Sequence, residues 1–487
     1  MTSKVGLIPI PFTGGYYSTR SKPLSSQRLI NWYVNVLDSG GLNPESLYHT
    51  PGLREVISSV GGINRGAWVM EGVPYFVNGE TLFSVIRTVD AYGNAAYSAS
   101  SPLGVVEGTG DVIMDSVKDE LCIVVPGQYA YIYTVVNALD PITDPDFDGP
   151  VDDVVAIGSV FVFVKTGTNK VFHSQLNNGH DYNALDFYTV NQMDICVGLI
   201  AYRNILYVMG ATNIVPFGNV GGAQFLFAPQ PNSVIPTGLR TKYGKTPFKD
   251  SFVWLGNGAN EGISLWLYSG GTPQKISTEP IDYLIQNISD EEVEQSKILR
   301  HSQNGANFVV FSIGDFCFVY DLAASLRKGV PIWHERRSQV VIDGQPVDSP
   351  WRVKSIIQAY NRVFVGDSAD GRVGEIADDL GTEYGNHMLC VLDTQPLSNM
   401  GVKSKVKGIE VYTDVGVAPD DIMNLSWSDD GGFTWSNTIE CSLGKIGEYG
   451  RRVTWTRLGA FSLARQLRFQ YSGVYPRGIN GIMGNAN

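Results

Sequence analysis

Three stretches decide how the chain folds: PYFV-NG-ETLFSVI (74–86), ELCIVV-PG-QYAYIYTV (120–135) and VFVFV-KTGTN-KVFHS (160–174). Each is a short apolar run, a turn carrying glycine, and a second run rich in β-branched and aromatic residues, which is the pattern of a β-hairpin. The unit recurs in NILYVM-GATN-IVPF (204–217), SFVWL-GNGANEG-ISLWLY (251–268), FVVFS-IG-DFCFVY (308–320) and RVFV-GDSADG-RVGEI (362–376). One turn glycine per unit (Gly79, Gly127, Gly167, Gly210, Gly258, Gly314, Gly366) gives separations of 48, 40, 43, 48, 56 and 52 residues. Repeats of roughly 40–50 residues built from short strands mark β-propeller blades. A single blade cannot cover both of its faces, so blades pack radially until the ring closes. The expected fold class is all-β, a β-propeller of about seven blades.

The rhythm stops on both sides of this region. Residues 1–61 lack periodicity and read as an extended N-terminal arm, with turns at Gly14-Gly15 and Gly40-Gly41. The propeller takes 62–384, with a short helical insert at 280–297 in which Ser289 and Glu292 have the spacing of a capping box. The strands KVKGIEVYT, NLSWS, RRVTWTRLG and QLRFQYS assign 385–475 to a separate C-terminal β-sandwich-like domain. The tail PRGINGIMGNAN (476–487) offers little to hold it and reads as mobile or ordered by a partner.

Composition supports a large turn-rich core. Hydrophobic residues are 43% and aromatics 11%, which excludes a disordered chain, a coiled coil and a collagen-like rod. A net charge of −12 argues against wrapping phosphate backbones, while leaving DNA free to pass close by. Cys122, Cys196, Cys317, Cys390 and Cys441 form no CxxC pair and read as buried free thiols of a reducing compartment. No charged-then-apolar leader follows Met1, and no apolar run is long enough to span a membrane, so a cytoplasmic origin is expected.

Candidate chemistry is sparse. Gly238 to Thr246 resembles a phosphate loop, but five residues separate Gly238 from Gly244 and Pro247 follows where a helix is needed, so a structural turn is expected. Asp144, Asp146 and Asp148 match the first half of a calcium loop, yet Val155 stands where the bidentate acid belongs. An acidic solvated turn is the reading there, with calcium the alternative. Ser428, Asp430, Gly432 and Trp435 match the Asp-box, a structural hairpin turn in which the Trp packs beneath the turn. No G-x-S-x-G elbow and no H-E-x-x-H is present, and the six histidines are dispersed. The doublets Arg336-Arg337 and Arg451-Arg452 read as solvated edges or subunit contacts. No catalytic residue, cofactor site or metal site is assigned.

The order of segments resembles a known family. The arm RLINWYVNVLDSGGLNPESLYHTPGLREV (28–56), ITDPDFDGPVDDVVAIGSVFVFVKTGTNKVFHSQLN (142–177) with NALDF (183–187), YGKTPFKDS (243–251) and WTRLG (455–459) are similar in order to the packaged-DNA stabilisation proteins, the tail hub or nozzle proteins of short-tailed bacteriophages. Asp148 departs from the family's turn, where a proline is expected. The resemblance implies a homo-oligomeric ring, a hexamer, below the portal and head-to-tail adaptor proteins. It implies a structural, non-enzymatic part of the virion tail, assembled in the host cytoplasm. That part retains packaged DNA, conducts it at ejection without sequence-specific binding, carries tailspikes or tail fibres, and is closed by a needle or plug protein. It implies no cofactor and no membrane insertion. The alternative is a glycan-cleaving or glycan-binding propeller on the virion.

Overall fold

The computed structural model describes residues 8–37, 43–303, 305–342, 344–399, 401–419 and 421–486. The Gly40-Gly41 turn lies outside them. Each turn glycine named above sits at or beside the second hairpin of one antiparallel sheet. Blade 1 begins with Asn64–Met70, blade 2 with Ile113–Val117, blade 3 with Val151–Ile157 and blade 4 with Cys196–Tyr202. Blades 5, 6 and 7 begin with Lys245–Phe248, Lys297–Gln303 and Val353–Ala359. These first strands pack against one another in chain order, and that of blade 7 returns to that of blade 1, closing the ring around an axis.

The cores lie between blades, because near-continuous apolar strands present side chains to both faces. Between blades 3 and 4, Val162, Val164 and Leu199 meet Leu206, Val208 and Phe217. Buried carboxylates staple neighbours together as well. Asp115 of blade 2 accepts the Ala156 amide of blade 3 at 2.8 Å, and Asp153 of blade 3 accepts the Leu199 amide of blade 4 at 2.6 Å. Asn78 of blade 1 donates to the Gly371 carbonyl beside blade 7 at 2.7 Å.

The N-terminal residues are not a separate arm. Gly52–Ile57 is the fourth strand of blade 7, antiparallel to Val373–Ala377 with Leu53 opposite Ile376. Trp32–Val36 and Glu45–His49 join a sheet ordered Val453–Thr456, Ser404–Thr413, Gly478–Ala486, Glu45–His49, Trp32–Val36. A facing sheet runs Cys390–Asp393, Ala464–Tyr471, Ile422–Ser428, Ile439–Ser442. Trp32, Leu47, Ile409, Leu425, Trp455, Phe469 and Ile479 fill the core that the two sheets share. The two-residue strand Leu29–Ile30 lies between Cys390–Asp393 and Trp333–Glu335, the outer strand of blade 6, and makes one continuous sheet of blade and C-terminal domain.

Two further boundaries move. The tail expected to be mobile is the strand Gly478–Ala486, hydrogen-bonded to Ser404–Thr413 on one side and Glu45–His49 on the other. Its glycines lowered its apparent strand propensity, but they admit close neighbours: a side chain at Gly484 would meet Ile10, and one at Gly481 would meet Tyr412. The helical insert forms α1 (Glu279–Asn287) and α2 (Asp290–Glu294), and Ser289 and Glu292 complete both bonds of the capping box. A third helix, α3 (Leu322–Lys328), was not foreseen. Asp321 caps it through the Ala324 amide, and Gly329 ends it in the left-handed region at φ 71°. No helix among the described residues is long and apolar enough to cross a membrane.

Truncation after Tyr475 removes a central strand and strips the cover from Ile479's neighbours, so the C-terminal domain is expected to lose protease resistance. Limited proteolysis followed by mass analysis checks this, and a truncated chain as resistant as the full one counts against the strand's structural role.

Candidate channel and assembly surfaces

The propeller axis holds a cavity of about 670 Å³ lined by Trp68, Tyr243, Lys245, Lys297, Arg300 and Gln358 among others. Its end nearest the starts of the first strands is laced with ion pairs. Asp111, on the approach to blade 2, takes Lys297 of blade 6 at 3.1 Å and Lys354 of blade 7 at 2.7 Å. The Tyr243 hydroxyl, before blade 5, donates to the Asp111 carbonyl at 3.0 Å. Lys242 pairs with Asp152 at 2.7 Å, and Lys245 with Asp153 at 2.8 Å. These partners sit on blades that are not neighbours, so each pair spans the bore. Burial pushes the Asp111 carboxyl up, but the two lysines outweigh it and hold the group below its ordinary range. The failed phosphate loop thus supplies bore-spanning cations, and a strand, not a helix, follows it.

Asp115 lies behind this lacing without an ion-pair partner among the described residues. Burial pushes its carboxyl up to about 7, against the hydrogen bonds from the Ala156 and Ser116 amides, and the nearby Asp153 adds to the rise.

The sequence candidates fall into turns. Asp144 accepts the amides of Asp146 at 2.8 Å and Tyr182 at 3.2 Å. Asp148 binds the ammonium groups of Lys165 and Lys170, the second at 2.7 Å, so the three acids do not converge on one point. Among the described residues no group of three or more His, Cys, Asp or Glu side chains is placed to hold a metal ion. In the Asp-box turn the Thr434 hydroxyl donates to Asp430 at 2.6 Å and the Phe433 amide at 3.0 Å, while Ser428 accepts the Gly432 amide at 2.8 Å. Gly431 has φ 80°, and its Cα hydrogen faces Pro23 of the N-terminal segment, where a side chain would collide. Trp435 lies under the Arg468 guanidinium at 3.7 Å. The box thus locks the C-terminal domain to the N-terminal segment.

Folding also gathers groups that looked scattered. His49, His301 and His334 are buried near Arg336 at the junction of the two domains. Arg336 is not a solvated edge: it lies 3.9 Å from the Trp351 ring and donates to the Pro51 carbonyl at 2.8 Å. Arg336 sits in the one-residue break between the strands Trp333–Glu335 and Arg337–Ile342, in a run buried from Trp333 to Arg336, which a doublet read from sequence alone conceals. Arg337, Arg451 and Arg452 pair with acids, with Arg337 on Asp348 and Arg452 on Glu410, both at closest distances under 3 Å. Cys122, Cys196, Cys317 and Cys390 are buried, and all five cysteines are free thiols.

Burial lowers the His301 imidazole to about 3 and the His49 imidazole to about 4, with Arg336 adding to both. The unfolded chain therefore takes up these protons first, near the ordinary value of about 6.5. Their contribution is complete above that pH and drains as pH falls toward 4. Asp115 and Asp321 (raised to about 6) have the opposite slope, so a variant comparison isolates the histidine. His301→Phe keeps the ring contact with Phe308 and is expected to recover about 3 kcal/mol of the stability that the parent loses between pH 6.5 and 4. Thermal melts of both proteins across that range check it, and parallel pH profiles overturn it.

Comparison with known proteins places this architecture. The model of the family described as Bacteriophage P22 Gp10, beta-propeller, matches residues 8–381, and that described as Bacteriophage P22 Gp10, beta-sandwich, matches 390–484. The chain is 25% identical over 436 residues to the tail hub protein gp10 of Salmonella phage P22, covering 85% of this chain and 89% of that one. Among solved structures, the WD40 beta propeller domain of Doa1 is 11% identical with a TM-score of 0.40, covering 66% of this chain and 96% of that one. Virginiamycin B lyase from Staphylococcus aureus is 10% identical with a TM-score of 0.39, covering 67% and 98%. Likenesses at that level carry no argument about this chain. The two family models together span both folded units in one order, and on that ground the chain belongs to the P22 Gp10 family of bacteriophage tail hub proteins.

Proposed function

We propose that this chain assembles with itself, as a hexamer, into a ring below the portal and adaptor proteins of a virion tail. The ring retains packaged DNA, conducts it at ejection, carries tailspikes or fibres, and is closed by a needle or plug protein. It acts as a structural part and not as an enzyme, and it is put together in the host cytoplasm. Membership in a tail hub family supports the setting. The observation that carries the reading is the laced propeller axis. A bore spanned by Asp111 with Lys297 and Lys354 has no room for a duplex, so a DNA duct belongs between copies and not within one. A closed cyclic assembly supplies such a duct. The net charge of −12 suits a wall that DNA slides past without adhering.

The mass of the purified protein in solution, alone and after mixing with the cognate portal–adaptor complex, tests this. A ring, or a monomer that becomes a ring on that complex, is the expected result. A monomer that ignores the complex overturns it and turns attention to glycan cleavage or binding.

A further inference from the structure

A groove of about 660 Å³ opens between blades 7 and 1, where the turn at Tyr360-Asn361 faces the turn that ends at Asn94. Three guanidinium groups line it, from Arg54, Arg87 and Arg362. Arg87 lies over the Tyr360 ring at 6.0 Å and Arg362 over the Tyr97 ring at 5.3 Å, while the two rings stack on each other at 6.2 Å. Aromatic faces of this kind hold a guanidinium flat and leave its N–H edge free for an acceptor. Glu375 binds Arg362, and Asp379 binds Arg54 at 2.7 Å. Arg87 has neither an ion pair nor a hydrogen-bond acceptor among the described residues, although the chain as a whole carries an excess of acid.

A second observation concerns the backbone. The strand Ala95–Ala99, which contributes Ala95 and Tyr97 to the groove, pairs only with Thr81–Val89 among the described residues and forms the edge of blade 1. An edge strand offers a row of unpaired N–H and C=O groups to an incoming extended chain. We propose that this groove binds an extended acidic segment of a partner protein, which adds to the edge strand Ala95–Ala99 and places a carboxylate on Arg87. Both tyrosine faces are occupied, by a guanidinium or by the other ring, so no bare platform remains for a sugar. Glu375 and Asp379 flank the arginines and disfavour a polyanion such as DNA. The site goes beyond the ring reading and stands without it.

The test is a fluorescence-anisotropy titration of the full chain with a short fluorescein-labelled peptide alternating Glu and Thr. Arg87→Ala is expected to weaken binding by about tenfold, as loss of a charge-assisted hydrogen bond does. Arg87→Lys is expected to fall between the two, Lys405→Ala on the exposed surface of the C-terminal domain to match the parent, and the Gln-for-Glu peptide to bind no better than the Arg87→Ala variant does. Arg87 is exposed and makes no ion pair among the described residues, and unchanged melting temperatures confirm that the variants fold. Failure of the parent to bind, equal affinity in Arg87→Ala, or displacement by sialyllactose or duplex DNA but not by unlabelled acidic peptide overturns the proposal.

Discussion

Glu335 is a carboxylate with no solvent exposure, and the way it is neutralised fixes how the two halves of the molecule meet. Arg28 closes on it at 2.7 Å from the N-terminal segment and Arg337 at 3.1 Å from the start of the next strand. Buried pairs of this kind contribute little net stability, because desolvating both charges is costly. What they dictate is register: any other path for residues 28–31 takes the Arg28 guanidinium away and leaves the buried carboxylate with Arg337 alone. Asn31, held at φ 55°, extends the lock. Its side chain donates to the carbonyls of Arg337 and Leu389 and accepts the Arg337 amide, so one residue touches blade 6 and the C-terminal domain at once.

The parts of the fold that sequence reading captures are those whose partners lie close in the chain. A hairpin announces itself through two apolar runs and a glycine turn, and Gly127 and Gly167 each mark one such unit. The parts it misses are joined over hundreds of residues. Nothing in Leu29-Ile30 indicates that two residues bridge two domains, and nothing in GLREVI indicates that it completes a blade more than three hundred residues later. The strand Gly478–Ala486 was misread because its glycines answer to crowding by Ile10 and Tyr412, a reason visible only in three dimensions. For α3 a signal was present, an Asp cap with glycine after Lys328, but the strong strand FCFVY beside it dominated the reading.

The site followed the same division. Asp-box chemistry is local and could be read from spacing, whereas the histidine cluster around Arg336 joins blade 6 to the C-terminal sheet and the acids and lysines across the bore come from separate blades. Net charge was a poor guide to them. The acids that matter most to the architecture are inside, at Asp111, Asp153 and Glu335, each facing a cation. Local neutrality therefore coexists with overall acidity. The surplus is left for the surface, and the Arg87 groove stands out against it.

Completion of blade 7 by Gly52–Ile57 also sets a clock on biogenesis. That strand leaves the ribosome before its partner Val373–Ala377, which is complete 320 residues after its end. At about 5–20 residues per second the delay is roughly 15–60 s, during which Leu53, Val56 and Ile57 wait without their ladder. Blades 1 to 6 are local enough to form in that interval, so the ring is clasped last, by a strand made before any of them.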